Sequence, residues 1–82
     1  MKEVGKVTHY YGKIGVAIVE LSDSLKVGDK IKIEDKQGEF EQAVDSMQVE
    51  YKPVEEAGAG ASVGLKVGEK VREGAKVYKL EE

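Results

Sequence analysis

The 82-residue chain has no cysteine, no tryptophan and a single proline. Without cysteine there can be no disulfide, no thiolate metal site and no thiol nucleophile, and a reducing interior is permitted. Long apolar runs are also missing. The longest, VAIV at residues 16–19, stops at Glu20, far short of the ~20 residues of a membrane-spanning helix. The opening MKEVGKVTHYYG lacks the apolar stretch of a signal peptide. These absences predict a cytoplasmic protein with no membrane association. Charge of one sign is not in large excess either. Thirteen basic and sixteen acidic side chains interleave to a net charge of −3, which gives no support to indiscriminate binding along a phosphate backbone. A length of 82 residues predicts one domain over residues 1–82.

Helical periodicity is scarce. The best stretch is FEQAVDSM, residues 40–47, with Phe40, Val44 and Met47 at i, i+4 and i+7. It reads equally as a strand interrupted by a bend. The rest reads as short strands between glycine turns: residues 3–11, 14–21, 30–34, 39–43, 47–51, 62–67 and 76–80. In the first strand, alternation puts Gly5, Val7, His9 and Tyr11 on one face. Residues 35–38 make a hairpin turn with Gly38 at a position of positive φ, and residues 53–60 make a loop. The expected fold class is all-β, a small closed antiparallel barrel of six to seven strands, because closure removes exposed edges. Its core should hold Val7, Val16, Ile18, Val19, Leu21, Leu25, Val27, Ile31, Ile33, Phe40, Val44, Met47, Val63, Leu65, Val67, Val71, Val77 and Leu80.

One phrase occurs twice, LKVGDKI at residues 25–31 and LKVGEKV at residues 65–71. The first launches a strand and the second ends one. The better structural match sets GDKI (28–31) against GAKV (74–77): a glycine turn, a spacer, an outward lysine and an inward β-branched residue. This is recurring turn chemistry rather than duplication of a whole unit.

The block LKVGDKIKI (25–33), then VDSMQ (44–48), VEEA (54–57), VGLKV (63–67) and VREGAKV (71–77) resembles the second domain of translational GTPases such as elongation factor Tu. The order and spacing span nearly the whole chain. The chain also resembles the short C-terminal barrel of collagenase-like peptidases, through Gly5, Val7, Gly15, Ala17, Val19 and Glu20. The first resemblance implies a non-catalytic binding module near translation, with a protein or a structured RNA, such as transfer RNA, as partner. The second implies a free-standing accessory barrel that positions substrate for a collagenase-like peptidase.

The residues themselves point away from catalysis. Gly5-Lys6 and Gly12-Lys13 lack the hydroxyl and upstream glycine of a phosphate-cradling loop, so no nucleotide is expected. His9 is the only histidine, and no serine lies in a G-x-S-x-G elbow. Glu39, Glu41, Glu50, Glu55 and Glu56 lack calcium-loop spacing and read as wet strand faces. The expectation is therefore no enzyme, no metal and no cofactor. The candidate partner surface is the aromatic cluster His9, Tyr10 and Tyr11 with Lys6 and Lys13 beside it, a set that could stack on bases or anchor a protein.

Overall fold

The computed structural model describes residues 2–36 and 38–80. Ten strands follow one another: β1 (Lys2–Tyr11), β2 (Val16–Leu21), β3 (Leu25–Lys26), β4 (Lys30–Asp35), β5 (Gly38–Ala43), β6 (Met47–Val49), β7 (Lys52–Val54), β8 (Glu56–Ala57), β9 (Ser62–Lys66) and β10 (Lys76–Lys79). Every pairing among them is antiparallel. Eight strands form one sheet in the order β5-β4-β10-β1-β2-β9-β6-β7, and β3 pairs with β8. The fold is thus all-β, but the expected closed barrel is corrected. Among the described residues, β5 and β7 end the sheet and are not hydrogen-bonded to each other. Residues 67–75, which lie between β9 and β10, form no ladder that could complete a ring.

The helical alternative for residues 40–47 also fails. β5 runs to Ala43, residues 44–46 are irregular and Met47 starts β6. The spacing of Phe40, Val44 and Met47 reflects that bend. Residues 53–60 are not one loop, since β7 and β8 fall within or across them. The 35–38 turn includes Gln37, which lies outside the described residues, while Gly38 has φ 149° as expected.

Three tight turns carry one design. In Lys26–Asp29, Gly58–Ala61 and Arg72–Ala75 the fourth N–H donates to the first C=O, at 3.1, 3.2 and 3.1 Å. The third residue is glycine in each, with φ 98°, 88° and 90°. That positive φ is the requirement of a type II turn. Each turn is also pinned to one buried residue elsewhere. Gly28 N–H donates to Val44 C=O and Asp29 C=O accepts from Val44 N–H, at 2.9 and 2.8 Å. Gly60 and Ala61 do the same with Leu21, both at 2.8 Å, and Gly74 and Ala75 with Val7, both at 2.7 Å. Apolar residues flank each turn on both sides: Leu25 and Ile31, Ala57 and Val63, Val71 and Val77, all buried. The match of residues 28–31 with 74–77 is therefore correct, and a third copy lies at residues 60–63.

The core gathers Val4, Val7, Ala17, Val19, Leu21, Leu25, Ile31, Ile33, Val44, Met47, Val63, Leu65 and Val77, among others. Val16, Ile18, Phe40 and Leu80 were expected inside but are only half-buried. Val16 and Ile18 alternate with buried Ala17 and Val19, so they take the outer face. Val27 is 39% exposed because it occupies the second position of its turn.

Candidate partner surface

Two irregularities in β1 build this surface. Register shifts fall between Glu3 and Gly5 against β10, and between Val7 and His9 against β2. Gly5 is obligatory at the first, because a Cβ there would meet the Glu20 carbonyl oxygen at 2.7 Å and Val19 Cγ1 at 2.8 Å. The shifts let Val4 and Val7, three residues apart, both enter the core. Beyond the second shift the alternation is reversed. His9 and Tyr11, expected on the same face as Val7, turn outward instead, and Tyr10 packs against the core.

The five candidate residues are thus divided. Lys6 is exposed, opposite Glu20 on β2 and Lys76 on β10. His9 and Tyr11 stand out from β1, ring centroids 4.5 Å apart at 56°. Lys13 is exposed in the turn between β1 and β2. Tyr10 does not join the outer face. Its cross-strand partner is buried Ala17.

The outer face also gathers two residues expected in the core. Ile18 lies opposite His9, and Val16 lies opposite Tyr11. Both lean over Gly64 of β9, where a Cβ would lie 3.3 Å from Val16 Cγ1 and 3.7 Å from Ile18 Cδ1. Ile14, in the adjoining turn, is 64% exposed. The result is an aliphatic strip edged by an aromatic ring, an imidazole and cations. Such a surface suits the core of a protein contact, where aromatic and aliphatic anchors are desolvated.

His9 has a partner that local sequence did not reveal. Its Nδ1 lies 3.0 Å from Glu73 Oε2, with both side chains at least half exposed. Glu73 sits in the third pinned turn, and the bonds of Gly74 and Ala75 to Val7 bring that turn over β1. The pair orients the imidazole, and the exposure of both side chains keeps the contact weak. Among the described residues no group of three or more His, Asp or Glu is placed to hold a metal ion, and no helix is long and apolar enough to cross a membrane.

No family model matches the chain. It is 47% identical over 81 residues to an uncharacterized protease of Methanocaldococcus jannaschii, covering 98% of this chain and 20% of that protein. It is 36% identical over 80 residues to a collagenase of Porphyromonas gingivalis, covering 95% of this chain and 22% of that one. The chain therefore spans about a fifth of the curated relatives it matches. Among solved structures, it is similar to the C-terminal domain of a Geobacillus thermoleovorans protein described as a U32 peptidase. There the TM-score is 0.91 at 19% identity, covering 98% of this chain and 93% of that one. A selenomethionine variant of that domain gives a TM-score of 0.92 at 20% identity. The collagenase-like resemblance thus holds along the chain and in the fold. The translation-factor reading, with its elongation-factor role, is overturned, since these relatives are named as proteases and collagenases.

Proposed function

We propose that this chain is a non-catalytic accessory module that works with a collagenase-like peptidase and helps position its polypeptide substrate. One observation carries the reading: 98% of the chain aligns with only 20% of a protease, at 47% identity. The match is to one module of a much larger protein. The outer face of β1, β2 and β9 supports a docking role, because Tyr11 and Ile14 are exposed beside half-buried Val16 and Ile18. In this reading that face contacts the catalytic part, with Lys6 and Lys13 at its rim.

The test uses denatured collagen and the catalytic part of a relative that lacks the matching segment. The chain alone should release no peptides. Added to the catalytic part, it should lower KM with little change in kcat, the signature of added substrate binding. Tyr11→Ala together with Ile14→Ala should abolish that effect without unfolding the chain. Turnover by the chain alone, lost in His9→Ala, would replace this reading with a small hydrolase. An unchanged KM at saturating chain would end it.

A further inference from the structure

Among the described residues, β5 has a strand neighbour on one side only. One hydrogen bond identifies the backbone groups this exposes. Leu80 N–H donates to Lys30 C=O at 2.9 Å. In an antiparallel ladder a residue's N–H and C=O point to the same side, and successive residues alternate. Lys30, Lys32 and Glu34 therefore address β10, while Ile31, Ile33 and Asp35 address β5. Opposite the first set stand Ala43, Glu41 and Glu39. Their N–H and C=O groups turn away from β4, toward the free edge. Such a row is a template for a further strand.

Beside this edge lies a groove of about 270 Å³, with Phe40 and Ile33 on its apolar side and Glu39, Glu69, Lys70 and Arg72 on its rim. Farther along β5 the space toward β9 is bridged by a peptide-like group. The Gln42 side-chain amide donates to Lys66 C=O at 2.9 Å, and its oxygen accepts from Gly68 N–H at 2.9 Å. In a parallel ladder a strand residue engages such a C=O and N–H, two residues apart. The Gln42 amide stands where the backbone amide of a neighbouring strand would stand. It also reaches Ala43 C=O at 3.4 Å, one of the acceptors on the free edge.

We propose that the free edge of β5 captures an extended peptide as an added strand, and that the peptide alternates basic with apolar residues. The alternation follows from β5 itself. Glu39 and Glu41 lie opposite Glu34 and Lys32 and face outward, whereas Phe40 lies opposite buried Ile33 and packs against the core. An incoming strand meets carboxylates on one face and an aromatic ring on the other, so lysine or arginine suits the first and valine or isoleucine the second. The inference goes beyond the role beside a peptidase and stands without it.

The probe is the capped peptide TKVKVKT, titrated into isotope-labelled chain and followed by amide NMR shifts and hydrogen exchange. The largest shifts should fall on Glu39 and Glu41, with amide exchange there slowed about tenfold or more at saturation, as for amides newly bonded in a sheet. Glu41→Pro removes an outward donor and leaves the β4 ladder intact, so it should weaken binding about tenfold or more. A peptide N-methylated at alternate residues loses its own donors and should bind as poorly, which keeps the test decisive if Glu41→Pro does not fold. Equal binding by the N-methylated peptide would overturn the proposal, because side-chain charge alone would then explain capture. Shifts confined to β1, β2 and β9, or none at millimolar peptide, would overturn it too.

Discussion

The two ends of the sheet, β7 and β5, face the same hazard and meet it in opposite ways. β7 is three residues long and holds the only proline of the chain. Its hairpin from β6 closes at the pair Val49–Lys52, so Pro53 falls at the next pair, opposite Gln48. A closing pair of a two-residue loop exchanges the ladder bonds, which turns the Pro53 nitrogen outward, where a free donor would otherwise stand. The loop residues Glu50 and Tyr51 have φ 51° and 65°, as a type I′ turn demands. Neither is glycine, so the tight turn costs about 1–2 kcal/mol per residue. β5 is six residues long and contains no proline. One edge is closed to strand addition at some cost in strain, and the other stays open.

Four measurements sharpen or break this contrast. The largest effect belongs to the core beneath β5. Ile33→Ala should lower unfolding free energy by roughly 2–4 kcal/mol in urea titration, whereas Val54→Ala, half-buried on β7, should cost under about 1 kcal/mol. Equal losses would show that the two ends are supported alike. Next comes the amide bridge. Gln42→Ala should cost about 1–2 kcal/mol, since it removes two well-formed hydrogen bonds. Gln42→Glu should cost more at neutral pH than in acid, because an ionised carboxylate cannot donate to Lys66 C=O.

A smaller effect of opposite sign is expected at the β7 end. Tyr51 is 96% exposed at positive φ. Tyr51→Gly should therefore raise stability by about 0.5–1 kcal/mol, relieved strain being partly offset by greater freedom of the unfolded chain. The smallest effect is electrostatic and lies on β5. Lys32 Nζ lies 2.7 Å from Glu39 Oε2. This contact lowers the Glu39 pKa and raises that of Lys32. The Glu39 contribution is complete above the ordinary carboxylate pKa and is lost as pH falls through the lowered one. The Lys32 contribution is complete below the ordinary lysine pKa and is lost as pH rises through the raised one. Melting temperatures of native protein and Glu39→Gln should thus differ most near neutrality and converge in acid and in strong base. A gap that widens in acid would have the wrong sign.

Much of the fold was legible because its signals are local. Strict alternation from Lys30 to Glu34 marked β4, and glycine followed by a spacer, a lysine and a β-branched residue marked two of the three pinned turns. The third, at residues 58–61, escaped because Ser62 stands where the others carry lysine and Ala57 where they carry leucine or valine. Ala57, Ala59 and Ala61 carry little hydrophobic signal, although Ala57 is buried. Buried Ala17 and Ala75 were missed for the same reason. The candidate surface was half legible. His9 and Tyr11 could be named as an aromatic cluster, but strict alternation set them beside Val7, and only the register shift puts them outside. Glu73 could not be found from its neighbours, because it reaches His9 through bonds between Val7 and a turn more than sixty residues away.

The sequence by itself determined an all-β chain of short strands, because glycine at positive φ and period-two alternation act within a few residues. Only the tertiary structure decided which edge stays open, which way His9 and Tyr11 face and that Gln42 bridges β5 to the end of β9. Those outcomes rest on register shifts and on hydrogen bonds between residues 20 or more positions apart, and no local pattern encodes them.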